Sequence, residues 1–142
     1  MRGFVVGILT LLVSFLFVPV GMANVFVFVY FMFFVSLVFS SIGVMMGLWA
    51  ETFDHVETFS SFVLLPLTFL GGVFHSINML PDLLRTLSIF NPLLFMINGM
   101  RYGVLGISDV NIPFSMVLVF ILSAFLFGVN VRLFKRGYRI KT

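Results

Sequence analysis

Residues 64–84 read "LLPLTFLGGVFHSINMLPDLL". The stretch begins as an apolar run fit to enter a membrane. It is then broken by Pro66, by the pair Gly71–Gly72, by the cluster His75, Ser76 and Asn78, and by Pro81. Proline removes a helix hydrogen bond and clashes with the preceding turn. Glycine is free to take positive φ. In hydrocarbon every freed backbone group needs a partner, so irregular backbone survives only where protein buries it or where it lines a cavity. The break therefore predicts the end of a spanning helix beneath a structured cap. Pro81 stands near the first position of a new helix, with Asp82 in its first turn, which suits the helix dipole.

Working outward, the surroundings agree. Of 142 residues, 61% are hydrophobic and 9% are charged. Ordinary globular chains carry about 25% charged residues, and a domain this small could not hide so much apolar surface from water. Lipid is the expected solvent, and the 21 phenylalanines suit helix centres. With no cysteine there is neither a disulfide framework nor a thiolate metal site. A spanning helix needs about 20 residues for about 30 Å of hydrocarbon. Four segments qualify, at about 3–20, 24–50, 57–74 and 113–133. The expected fold is thus a single all-α integral membrane domain over 1–142.

Between the third and fourth segments, "PDLLRTLSIFNPLLFMINGMRYGVLG" is semi-apolar and split at Asn91–Pro92. Each half is too short to span, and Arg85, Asn91, Asn98 and Arg101 would be costly against lipid. A re-entrant helix pair over about 81–105 satisfies both constraints. Arg101 is expected to pair within it, with Asp82 or Asp109, or to meet an anionic lipid or substrate group.

Arg132, Lys135, Arg136, Arg139 and Lys141 crowd the last eleven residues directly after an apolar segment. That marks a cytoplasmic membrane end rather than a nucleic-acid site. Four crossings then place both termini and the loop "ETFDHVET" inside, and the stretch from about 75 to 112 outside. Glu51, Asp54, His55 and Glu57 of that loop form the densest ionisable cluster. A solvated loop explains it more cheaply than a metal site or a proton relay. Ser36, Ser40, Gly43 and Gly47 recur at intervals of three or four on the second segment. Small residues allow close helix approach in lipid, so they are a candidate seam, either within one bundle or between two copies. No GxxxxGK[ST] pattern for phosphate occurs, and no Ser-His-Asp arrangement can be assembled. No catalytic, cofactor or metal residue is assigned.

The run from Leu65 to Gly106 resembles the signature of ABC-2 type transporter permeases, nearest to the bacterial YadH-like members. The matching positions are Pro66, Phe69, Leu70, Gly71, Gly72, Phe74, Leu80, Pro81, Asn91, Pro92, Leu93 and Arg101. Gly71 stands where many members carry Ser, and His75 where many carry Pro. The preceding "GLWAETFDHVETFS" resembles the family's link between its fourth and fifth helices. The resemblance implies an inner-membrane export permease that dimerises, is driven by a separate ATPase subunit, and is itself no enzyme. It further implies that this chain corresponds to the C-terminal portion, from the third helix to the sixth. In that reading the 51–57 loop is a candidate ATPase contact. The rivals are a non-catalytic four-helix membrane protein, as an assembly factor or remnant, and a small secondary transporter using Glu51 or His55. No carboxylate lies central to a segment, which disfavours the latter.

Overall fold

The computed structural model describes residues 2–17, 23–50, 52–73, 79 and 81–135. Those residues form helices and turns and no strand. The helices are α1 (Arg2–Phe17), α2 (Val25–Trp49), α3 (Phe53–Phe59), α4 (Leu65–Leu70), α5 (Asp82–Ile89), α6 (Pro92–Leu105) and α7 (Ile112–Lys135). A wide π turn, Ser60–Leu64, joins α3 to α4.

Among the described residues two helices, α2 and α7, are long and apolar enough to cross a membrane. A third candidate arises if α5 and α6 count as one span bent by 86°. The sharp bend falls at Asn91–Pro92, where proline cannot supply the N–H that would continue α5. Asn91 caps α6 instead, its Oδ1 accepting from the Leu93 N–H at 3.0 Å. Gly106 closes α6 in the left-handed region at φ 72°, its N–H donating to the Tyr102 carbonyl at 2.9 Å. Asn111 begins α7 by accepting from the Phe114 N–H. Arg132 and Lys135 occupy the last turn of α7, where cations oppose the helix dipole.

The core lies between α2, α6 and α7. Phe31, Leu94 and Val119, fully enclosed, sit at its centre, with Val38, Leu93, Phe95 and Met96 around them. Close approach of α6 to α2 depends on two glycines four residues apart. A Cβ on Gly99 would stand 2.2 Å from Phe31 Cζ, and one on Gly103 would stand 2.6 to 2.8 Å from Phe28 Cβ, Cα and N. The N–H groups of Ala23 and Asn24 also cap the end of α6 by donating to Val104 and Gly103. On α7 the buried face is Ser115, Val119, Ser123 and Asn130. The Ser115 and Ser123 hydroxyls return to their own helix, to the carbonyls of Asn111 and Phe120. Asn130 Nδ2 donates across to the Ser41 carbonyl of α2 at 3.1 Å, and Tyr30 OH donates to the Met116 carbonyl at 3.0 Å.

Two expectations need correcting. "ETFDHVET" is no loop: from Phe53 onward it is the helix α3, capped at Thr52, with Asp54 in its first turn. An acidic residue at a helix start is favourable, and the short polar run hid this from a search for apolar periodicity. Asp54, His55 and Glu57 are exposed on α3, while Glu51 lies outside the described residues. Nor do Ser36, Ser40, Gly43 and Gly47 make a seam with the other described residues. All four are exposed, and a Cβ on Gly43 or Gly47 would meet nothing within 4 Å.

Candidate functional site

The break in the sequence folds into a glycine turn held by side chains of α6. Pro66 has no N–H to offer the carbonyl four residues before it, and the turn just upstream is already widened: the Leu65 N–H reaches back to the Ser60 carbonyl. The Thr68 hydroxyl bonds back along the helix, shared between the Leu64 and Leu65 carbonyls at 2.8 and 2.7 Å. Helix α4 then stops at Leu70. The Gly71 N–H donates to Leu67, the Gly72 N–H to Phe69, and Gly72 adopts φ 77°.

Three side chains of α6 and its cap fasten this turn. Asn91 Nδ2 donates to the Leu67 carbonyl at 2.6 Å. Leu93 and Ile97, one helical turn apart, close over Gly71. A Cβ there would lie 2.8 Å from Ile97 Cδ1 and 3.3 Å from Leu93 Cβ. Arg101, one turn further on, donates through Nη2 to the Gly72 carbonyl and through Nη1 to Asp109 Oδ2 at 3.3 Å. Of the two carboxylates expected for Arg101, the partner is Asp109. Asn98, fully buried, orders that partner: its Oδ1 accepts from the Asp109 N–H at 3.0 Å while its Nδ2 donates to the Leu94 carbonyl.

The polar residues that would have been costly in lipid are thus mostly enclosed. Asn91 and Asn98 are buried and hydrogen-bonded, and Arg101 is partly buried and paired. Arg85 is the exception and stays exposed. Among the sequence-derived residues, the turn brings together Pro66, Gly71, Gly72, Asn91, Pro92 and Arg101. Pro81 caps α5 apart from them, and Phe74 lies outside the described residues. The exposed stripe on α2 and the acidic start of α3 form no part of this arrangement. Gly99 and Gly103 were not singled out from the sequence. The spacing of Gly99 and Gly103 was a visible signal, identical to that of Gly43 and Gly47.

Chemically the arrangement is a clamp. The Arg101 guanidinium and the Asn91 carboxamide hold backbone carbonyls of the α4 turn, and the Asn98 carboxamide orders Asp109 beside the guanidinium. Among the described residues no three His, Cys, Asp or Glu side chains converge. Gly72→Ala would put a Cβ on left-handed backbone, and the expected loss is about 1–2 kcal/mol of stability. Detergent-unfolding midpoints of the purified protein measure it. A change below about 0.3 kcal/mol would mean the φ relaxes freely.

Residues 1–105, which contain the whole of the turn and α6, match the ABC-2 type transporter family. The chain belongs to that family. The glycine turn and the α6 residues that hold it lie within the matched residues. The chain is 39% identical over 140 residues to the inner membrane transport permease YadH of Escherichia coli K12. The same identity is found with YadH of Escherichia coli O157:H7 and of Shigella flexneri. Each alignment takes in 97% of this chain and 55% of the relative, so the chain spans about half the length of the curated relatives it matches. No solved structure matches this sequence.

Proposed function

We propose that this chain serves, as part of a longer permease, in an export system of the bacterial inner membrane. A separate ATP-binding-cassette ATPase drives it, and a second permease copy completes the pathway. Four crossings place both termini and the start of α3 in the cytoplasm. The segment from Asp82 to Asp109 lies on the external side as a re-entrant pair. The observation carrying this reading is the family match over residues 1–105, which spans the glycine turn and the α6 residues that hold it. The basic last turn of α7 supports the orientation.

The exposed stripe Ser36, Ser40, Gly43 and Gly47 is the surface of α2 we assign to the second copy. Asp54, His55 and Glu57 on α3, with Glu51 beside them in sequence, face the ATPase. The seven-residue stretch 51–57 is far below the ~1,000 Å² of a stable interface, so on its own it holds the ATPase weakly.

Topology is the direct test. The chain has no cysteine, so single cysteines at Asp54, Ser108 and Thr142 can be probed on intact cells with an impermeant thiol reagent. Labelling is expected at Ser108 alone. Labelling at Asp54 would overturn the orientation and the ATPase contact together.

A further inference from the structure

An apolar groove of about 650 Å³ opens on the flank of the bundle, between the α5–α6 bend and α7. Its walls include Ile89, Phe90 and Phe95 on one side and Phe114, Ile121 and Phe125 on the other, and every residue lining it is apolar. Phe90, Phe114, Ile121 and Phe125 are all more than half exposed, so the described residues leave the groove unfilled.

Three features say what fits. First, the groove follows α7 from Phe114 to Phe125, which at the helical rise is about 16 Å, half of the ~30 Å hydrocarbon thickness. It therefore spans the depth of one leaflet, at the end of α7 away from Arg132 and Lys135. Second, a transmembrane partner helix would be expected to meet small residues, which allow backbones to approach. This groove is instead walled by phenylalanine and branched aliphatic side chains, which hold a partner backbone away and leave room for an acyl chain. Third, Arg85 stands one turn before Ile89 on the same face of α5. It is exposed and makes no ion pair among the described residues. A guanidinium beside an apolar slot one leaflet deep complements a lipid phosphate above its acyl chain.

We propose that this groove is a binding site for an anionic phospholipid. One acyl chain lies along Phe114, Ile121 and Phe125, and Arg85 donates to the phosphate. The site rests only on α7 lying in a bilayer, not on the export reading.

The test is native mass spectrometry of the protein purified in mild detergent and supplied with phosphatidylglycerol or phosphatidylcholine. The unaltered protein is expected to retain one phosphatidylglycerol in preference to phosphatidylcholine. Ile121→Trp fills the slot from an exposed position and should weaken retention by about tenfold or more. Phe127→Trp, on α7 outside the groove, should leave it unchanged. Arg85→Gln should keep acyl binding and lose the preference for the anionic headgroup. Photo-leucine, a diazirine amino acid close to isoleucine in size, at Ile121 reads the occupant without filling the slot, and a phospholipid adduct is expected. Equal lipid retention by the unaltered protein and Ile121→Trp, or a crosslink from Ile121 to a second copy of the chain, would overturn the proposal.

Discussion

Gly103→Ala will push α6 away from α2 and lower stability by about 3 kcal/mol or more, the upper range for overpacking. The added methyl would stand 2.6 to 2.8 Å from Phe28, and two of the three atoms it meets are backbone. Backbone cannot rotate out of the way as a side chain can. Gly99→Ala meets a different obstacle, the Phe31 ring at 2.2 to 2.4 Å. Trimming that ring should help, so Phe31→Leu is expected to recover part of the Gly99→Ala loss and none of the Gly103→Ala loss. Gly43→Ala, with nothing within 4 Å, should be neutral or gain up to about 1 kcal/mol from helix propensity. Unfolding midpoints of the single and double variants in a denaturing-detergent titration decide the matter. An equal rescue of both glycine variants would show that α6 yields as a whole and that the backbone contact is not limiting.

Arg101→Ala will loosen the glycine turn more than any other single change in the clamp. It leaves the Gly72 carbonyl without its guanidinium donor and removes the ion pair to Asp109. Hydrogen bonds to charged groups contribute about 1.5–3 kcal/mol, so amide exchange in residues 67–73 should quicken by about 10- to 100-fold. The Arg101–Asp109 pair itself is partly solvated, with the two side chains 21% and 17% exposed, and contributes the smaller share. Asp109→Asn should therefore quicken exchange only a few-fold. Arg101→Lys keeps the charge and loses the fork, so it cannot serve the carbonyl and the carboxylate at once; its effect should fall between the other two. If Asp109→Asn matched Arg101→Ala, the ion pair and not the carbonyl contact would be what holds the turn.

The helix ends and the break were legible because proline, glycine and asparagine act on their own neighbourhood. Pro66, Gly71–Gly72 and Asn91–Pro92 announce their turns from sequence alone, and the long apolar runs of α2 and α7 announce themselves. What joins the turn to α6 was not legible. The Asn91 contact to Leu67 and the Arg101 contact to Gly72 link residues 24 and 29 apart, and no local preference encodes such a pairing. Periodicity was equally silent about which glycines pack. Helix α2 is apolar on every face, so nothing in its pattern tells an inward stripe from an outward one. Gly43 and Gly47 carry the same spacing as Gly99 and Gly103, yet only the second pair meets a neighbour among the described residues. The acidic start of α3 was misread for the opposite reason: it is too polar and too short to show any apolar stripe.

The wide turn at Ser60–Leu64 has a geometric meaning for everything after it. A backbone bond that reaches five residues back, from Leu65 to Ser60, encloses one residue more than an α-helical turn does. That extra residue changes the phase of the rod by about 100°, since each residue of a helix advances the azimuth by that amount. The faces of α3 and α4 are consequently out of step. Winding all of 60–64 as regular α-helix, with no residue removed, would swing Leu67 and Gly71 about a quarter-turn off Asn91, Leu93 and Ile97, whereas deleting one residue there would leave them in place. The alignment of the turn with its clamp is in this sense set upstream, by how wide one helical turn is wound.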